Sequence, residues 1–219
     1  APDEVIRYAR EFLRGLKDVG ILGSGKHFPG LGEGKLDTHH ELPQISKSMR
    51  QLWEEDLLPY RTLHRSLPFV MVSHAAYPQA TRQPLPATLS RKLITDVLRK
   101  RIGYRGLIVT DDMDMGALLA AAPIETAAVE TLRAGSNLIM VCRDTDRALA
   151  GYEAVVCEGE RDRRFAAKLT EKAKHVLRFK KKSNELQRHA PRPKQADIDR
   201  LRRELWELGE QARMTALAR

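Results

Sequence analysis

Several features of other protein classes are missing from this chain of 219 residues. Cysteine is scarce: Cys142 and Cys157 make no metal-binding or redox spacing, and two thiols in a chain of this length indicate a reducing compartment. No apolar run approaches the roughly 18 residues that a membrane span needs. The start, APDEVIRYAR, lacks the basic-then-apolar layout of a secretory signal. These absences predict a soluble cytoplasmic protein without membrane contact.

Aromatic residues make up only 5% of the chain, whereas basic residues are in excess, with a net charge of +9. The whole excess lies in residues 160–219, where 18 Lys and Arg face 9 Asp and Glu. Apolar residues at helical spacing predict two helices there, joined by the segment HAPRPKQ. The charges fit solvated or packing helices. Contact with RNA or an acidic partner is the alternative, but without an aromatic stacking platform nucleic acid is not the expected partner.

The first 158 residues alternate between helical and strand patterns. Short apolar runs predict four strands, within GILGSGKHF, PFVMVSHA, GLIVTDDM and SNLIMVC. Amphipathic segments between them predict helices, one starting after a capping pair at Ser48 and Gln51 and bent or broken at Pro59, another starting at Ser90. Fully apolar strands separated by helices are typical of a parallel sheet. The predicted fold class is therefore α/β.

Polar side chains follow each predicted strand, where ligands bind in parallel α/β folds. They are Lys26 and His27 with a loop carrying Asp37 and His39, then Ser73 and His74, then Asp111 and Asp112, and finally Arg143 and Asp144. A single polar residue in such a place is usually a turn or cap residue. Four strand ends in series favour a site at one mouth of the sheet.

Two segments carry a family resemblance. The first is KHFPGLGEGKLDTHHELP at 26–43, and the second is GLIVTDDMDMGAL at 106–118. They resemble the signature loop and the nucleophile segment of family three glycoside hydrolases, in the bacterial β-N-acetylglucosaminidase branch. The intervening FVMVSHAAYP and LPATLSRKLITDVLRKRIGYRG are similar to that branch as well, so that the resemblance covers roughly residues 1–145.

The resemblance implies a role for each matching residue. Asp111 matches the catalytic nucleophile, which forms a covalent glycosyl-enzyme intermediate. His39 matches the general acid/base, with Asp37 as its positioning partner, and Lys26 and His27 match residues that hold hydroxyl groups of N-acetylglucosamine. The implied reaction is retaining hydrolysis of terminal β-linked N-acetylglucosamine in cytoplasmic peptidoglycan recycling, on N-acetylglucosaminyl muropeptide fragments, with no metal or organic cofactor.

The chemistry of the loop agrees with an acid/base role. An imidazole has an ordinary pKa near 6.5, so it can give and take a proton around neutral pH. A neighbouring carboxylate such as Asp37 favours the imidazolium and keeps the donor loaded. The glycines of the loop permit the turn that brings Asp37 and His39 together, and a mobile loop could carry them over a bound sugar.

Other assignments of these residues stay open. His27, Asp37, His39 and His40 could bind zinc or iron, although no helical H-x-x-x-H pattern fixes the ligands. Asp112 could replace Asp111 as nucleophile, but is expected to cap the turn or to form bonds within the site. Met115, like Met113, could line the sugar pocket or simply pack. His74 and His40 fit a structural role as well as a functional one. The same dyad could also use phosphate instead of water.

Two departures from the family pattern matter. Leu31 stands where many members have histidine. The family's eight-stranded barrel needs about 250 residues, whereas only four strands are predicted and the chain starts with Ala inside a helix. We therefore expect residues 1–158 to form the carboxyl-terminal half of a TIM-type barrel and residues 159–219 a basic helical extension. Such a piece would be weakly active or inactive alone, unless a homodimer or the amino-terminal half completes it.

Overall fold

A computed structural model describes residues 1–32, 42–187 and 192–217. The chain divides into two compact units, Ala1–Glu185 and Leu186–Arg219. No helix in the described ranges is both long and apolar enough to cross a bilayer.

Four strands and a series of helices make up the described residues. The strands are β1 (Ser24–Phe28), β2 (Phe69–Val72), β3 (Leu107–Asp112) and β4 (Leu138–Met140). The helices are α1 (Pro2–Asp18), α2 (Met49–Glu54), α3 (Leu58–Leu63), α4 (Pro78–Thr81), α5 (Gly116–Leu119), α6 (Ile124–Ala134), α7 (Thr145–Arg161), α8 (Arg163–Lys182), α9 (Asn184–Gln187) and α10 (Gln195–Leu217). A short 3-10 turn covers Ala87–Leu89, and a helix with π-type hydrogen bonding covers Lys92–Arg101.

The strands form one parallel sheet in chain order, β1-β2-β3-β4. All four predicted strands and the α/β class are confirmed. Each connection contains at least one helix, which returns the chain to the start of the next parallel strand. Because the strands are parallel, all their carboxyl ends lie at one edge of the sheet. Among the described residues the sheet is open, with β1 and β4 as its edge strands.

The capping pair predicted ahead of the second helical segment is present. The Ser48 hydroxyl accepts from the backbone N–H of Gln51, and the Gln51 side chain accepts from the N–H of Ser48. The expected break occurs before Pro59, which lies in the first turn of α3, where no helical N–H is required.

The main core lies between the sheet and the helices that cover it. Val70 and Val72 of β2 and Ile108 of β3 are fully buried in it. The alternate residues of β2, Phe69 and Met71, are only half-buried on the other face. At β2, therefore, one face of the sheet is fully buried and the other only partly.

Helices α7 and α8 close the first unit. Asp144 caps α7 and Asp162 caps α8, each carboxylate accepting from two backbone N–H groups. The boundary predicted between residues 158 and 159 falls inside α7 and stays a prediction. In the second unit, the two described segments include α10, which exposes Leu201, Leu205 and Trp206 among other apolar side chains.

Candidate active site

The carboxyl ends of β1 and β3 place an imidazole and a carboxylate against each other. His27 Nε2 lies 3.4 Å from Asp111 Oδ2, and the two side chains remain 27% and 17% exposed. Burial lowers the pKa of His27, an effect that the Asp111 charge opposes and Lys26 reinforces. The neutral imidazole is thereby favoured near neutral pH, where it can donate one hydrogen bond without cancelling the Asp111 charge.

The adjacent carboxylates of β3 have different surroundings. Asp111 Oδ1 accepts from the Asp112 N–H at 2.9 Å, which leaves Oδ2 facing His27. Asp112 Oδ1 instead accepts from the N–H groups of Asp114 and Cys142, both at 3.1 Å. Asp112 therefore holds the turn after β3 and joins it to the end of β4, whereas Asp111 has an oxygen available at the site.

His74, two residues beyond β2, is completely buried and uses both ring nitrogens. Nε2 lies 3.0 Å from the Asp112 carbonyl oxygen, and Nδ1 lies 2.8 Å from Thr88 Oγ1. Burial lowers the pKa of His74, while the Asp112 carbonyl and the carboxylates of Asp111 and Asp112 oppose the change. Since a carbonyl only accepts, the ring donates from Nε2, while the Thr88 hydroxyl that lies against Nδ1 also donates to the Ser73 carbonyl, 2.7 Å away. His74 thus supports the backbone next to Asp111.

Largely buried polar groups hold the chain around Gly30, ahead of the segment that contains Asp37 and His39. Tyr77 donates to the Gly30 carbonyl at 2.5 Å. Lys47 Nζ contacts Asp56 Oδ2 at 2.7 Å and Glu55 Oε2 at 2.8 Å. Gly30 has φ +145°, and a Cβ there would lie 2.6 Å from Asp56 Cβ. Sequence reasoning missed this network, because its members are scattered between residues 30 and 77.

Asp114, two residues beyond β3, is the third carboxylate at this edge of the sheet. Its Oδ2 accepts from the N–H groups of Arg143 and Asp144 at 3.0 and 3.1 Å, and Arg147 lies 3.4 Å from Oδ1. The backbone N–H groups lower its pKa against the effect of burial, with Arg147 adding to them. Its place two residues after a strand was the available signal for a turn-holding carboxylate.

The remaining predicted residues divide into three groups. Asp37, His39 and His40 lie outside the described residues, so the acid/base dyad and the alternative metal set stay predictions. Lys26 is exposed and borders, with His27 and Leu31, a cavity of about 720 Å³ beside α1. Met113 and Met115 are buried, Met113 with Leu118, Ile124 and Ala127, as ordinary packing requires.

Known proteins are similar to this chain in sequence. Residues 1–179 match the family described as "Glycosyl hydrolase family 3 N terminal domain". A protein named beta-hexosaminidase from Idiomarina loihiensis is 33% identical over 153 residues, which cover 70% of this chain and 46% of that protein. The chain thus spans less than half the length of that curated relative.

Solved structures show the same fold. A glycoside hydrolase family 3 beta-N-acetylglucosaminidase from Paenibacillus sp. superposes with a TM-score of 0.81 at 31% identity, over 87% of this chain and 36% of that one. A protein named beta-glucoside phosphorylase BglX superposes at 0.77 and 25% identity, over 86% and 35%. The expected partial TIM-type barrel is confirmed. The chain belongs to glycoside hydrolase family 3.

Proposed function

We propose that the protein to which this chain belongs hydrolyses terminal, non-reducing β-linked N-acetylglucosamine with retention of configuration. The observation that carries the proposal is the Asp111 carboxylate at the end of β3, with Oδ2 partly exposed and facing the His27 imidazole. The names of the beta-hexosaminidase and beta-N-acetylglucosaminidase relatives support the sugar class. Because the chain covers under half of those relatives, the activity is proposed for the whole protein.

The first step is displacement at the anomeric carbon. Asp111 Oδ2 forms a bond to this carbon while the bond to the leaving oxygen breaks, and His39 delivers a proton to that oxygen. In the second step His39 removes a proton from water, the water oxygen attacks the same carbon, and Asp111 is released. Asp37 orients His39 and stabilises its imidazolium form.

The described residues prepare Asp111 for this role. The Asp112 N–H occupies Oδ1 and fixes the carboxylate plane, while His74 holds the Asp112 carbonyl. His27 and the exposed Lys26 can donate hydrogen bonds to sugar hydroxyl groups. Such fixed donors need no reorganisation during the reaction.

The finer features follow from the same family resemblance. We assign N-acetylglucosaminyl muropeptide fragments as substrates, cytoplasmic peptidoglycan recycling as the setting, and a reaction without metal or organic cofactor. Assays of the whole protein with and without a chelator, on anhydromuramyl fragments and simple aryl glycosides, test these points together.

Covalent trapping tests the nucleophile. A fluorinated N-acetylglucosaminyl fluoride should leave one label on Asp111 of the whole protein, located by mass spectrometry of the digest. A label on Asp112 would contradict the assignment. In parallel, His39→Ala should impair substrates with poor leaving groups far more than those with good ones, since only the former need a proton donor.

Phosphorolysis is the second candidate, favoured by the similarity to the beta-glucoside phosphorylase. A neutral histidine repels an incoming phosphate less than a carboxylate acid/base would. Product analysis in phosphate buffer decides: a sugar 1-phosphate would show phosphorolysis, and the free sugar alone would show hydrolysis.

A further inference from the structure

A large cleft lies at the end of the sheet opposite Asp111 and His27. It measures about 1400 Å³ and is bordered by the residues that immediately precede the last three strands, Pro68, Gly106 and Asn137. From Gly106 to Asp111 the chain advances by about 17 Å, at about 3.3 Å per strand residue. The cleft is therefore separate from the candidate active site.

Helix α8 forms the other wall of this cleft. Phe179 of α8 packs edge-on against Phe69, the first residue of β2, with ring centroids 5.2 Å apart. His175 and Lys172 lie one and two turns earlier on the helix, respectively, and also border the cleft. The helix thus presents a row of basic side chains toward the amino ends of the strands.

The lining is strongly cationic. Two carboxylates, Glu171 and Glu185, border the cleft together with six cations: Arg65, Arg99, Arg105, Lys172, Arg178 and Lys182. In the described part of the chain none of these six makes an ion pair with a carboxylate, whereas Arg133 contacts Glu158 and Asp162. Six cations against two carboxylates leave the cleft with a surplus of positive charge within the described structure.

Arg99 shows how this charge is held. Its guanidinium donates to the carbonyls of Tyr104 and Gly106, at 3.0 and 2.6 Å, and to the side-chain oxygen of Asn137. All three acceptors are neutral. They fix the guanidinium at the bottom of the cleft without cancelling its charge, and burial lowers the pKa of Arg99 to about 10.

The neighbouring groups respond to the same field. Burial lowers the pKa of Lys172 to about 8, and the charges of Arg99 and Lys168 add to this effect against Glu171. Burial also lowers the pKa of His175, with Arg99, Arg178 and Lys172 contributing in the same direction and the Arg105 carbonyl opposing. An anion entering the cleft would relieve this repulsion.

We infer that the cleft is a binding site for a small polyanion carrying two or three phosphate groups. Lys172 and Arg178 on α8 and Arg105 on the facing loop are its principal donors, and Arg99 supplies the fixed charge behind them. Guanidinium and ammonium groups form short charge-assisted hydrogen bonds with phosphate oxygens, and the surplus of cations over carboxylates suits a di- or triphosphate better than a single phosphate.

Binding of tripolyphosphate and pyrophosphate to the full chain, followed by calorimetry and thermal shift, tests the site. Tripolyphosphate should bind saturably, more tightly than pyrophosphate and far more tightly than inorganic phosphate. Lys172→Gln combined with Arg178→Gln should weaken tripolyphosphate binding at least tenfold. A parallel titration with ATP distinguishes the two possible sources of the phosphate groups. Tighter binding than tripolyphosphate indicates that the natural ligand is a nucleotide, and equal binding indicates free polyphosphate.

Two measurements keep the proposal open to refutation. The matched control, Lys174→Gln with Lys181→Gln, removes the same charge from exposed positions of α8 outside the cleft and should change affinity less than twofold. Equal weakening by both pairs, or no saturable binding by the unaltered chain, would overturn the site. Without ligand, Lys172→Gln alone should also raise Tm because it relieves the repulsion among the cations of the cleft. A lower Tm would contradict the inference that the cleft carries a surplus of positive charge.

Discussion

His27 Nε2 and Asp111 Oδ2 lie 3.4 Å apart although β1 and β3 are separated in the sheet by β2. The side chains therefore reach across the mouth of the half-barrel above the end of β2. In the proposed reaction, this contact marks the position at which a sugar carbon would approach Asp111. The neighbouring Asp112 does not take part in it.

In the whole protein, Asp111→Asn should mainly affect turnover, whereas Asp112→Asn should mainly affect stability. The first removes the proposed nucleophile and should lower kcat by about a thousandfold or more, with little change in stability. The second should keep kcat within tenfold of the unaltered protein but lower the free energy of unfolding by about 1 kcal/mol, because two charge-assisted hydrogen bonds become neutral. Turnover assays and urea unfolding of both variants check this. The nucleophile would have to be reassigned if Asp112→Asn caused the larger loss of turnover.

Tyr77→Phe should affect both stability and turnover. The phenol donates to the Gly30 carbonyl, and burial raises its pKa far above the physiological range, so it remains a donor. Loss of this hydrogen bond should lower the free energy of unfolding by about 1 kcal/mol. It should also reduce kcat several-fold, because the chain is held less firmly at Gly30, ahead of the segment that contains His39.

Tyr104→Phe is the matched control for Tyr77→Phe. Tyr104 is equally buried and lies 3.1 Å from the carbonyl oxygens of Pro68 and Leu107, at the far end of the sheet. The Tyr104→Phe variant should lose about as much free energy of unfolding as Tyr77→Phe, but its kcat should not change. Equal losses of kcat in both variants would show that the Gly30 contact has no specific link to catalysis.

Gly30→Ala should destabilise the protein more than Gly103→Ala. Both glycines have positive φ, +145° and +80°, so a side chain is strained at either position. An alanine Cβ at Gly30 would also meet Asp56 Cβ at 2.6 Å, whereas at Gly103 it would meet open space. Denaturant titrations should show roughly 1 kcal/mol lost at Gly103 and clearly more at Gly30. Equal losses would mean that Asp56 moves away freely.

His74→Gln should flatten the dependence of stability on pH. The pKa of His74 is lower in the folded protein than the ordinary value near 6.5, so the unfolded chain binds more protons. His74 therefore costs no stability above that value and progressively more as the pH falls below it, by at most about 1.4 kcal/mol per pH unit. Unfolding free energies at pH 7.5 and 5.5 should differ less in the variant. An unchanged difference would mean that other groups, such as His27, cause the acid sensitivity.

The sequence was sufficient for the strands and for the shared mouth. Apolar runs such as LIVT at 107–110 form buried strands, and parallel order brings their ends together. The sequence predicted that the helical segment after Ser48 bends or breaks at Pro59, but it could not show that α2 already ends at Glu54. There Leu57, completely buried, turns the chain into the core, and the proline begins the next helix.

Parts of the site depend on contacts that no local pattern specifies. Asp111 and Asp112 are adjacent aspartates that the sequence alone cannot distinguish. Only the fold shows that Asp111 faces His27, whereas Asp112 accepts from the backbone N–H groups of Asp114 and Cys142. Likewise, Lys47, Asp56 and Tyr77 meet near Gly30 because separate loop segments pack there. Their roles follow from tertiary structure rather than from spacing.

The side-chain alternation of β3 has an evolutionary consequence. Successive side chains of a strand point to opposite faces, so adding or removing one residue within β3 would exchange Asp111 and Asp112 between the face toward His27 and the backbone contacts. Loops around the mouth can lengthen or shorten freely. The length of this one strand cannot, and we expect homologues to vary everywhere around Asp111 before they tolerate a single insertion between Leu107 and Asp111.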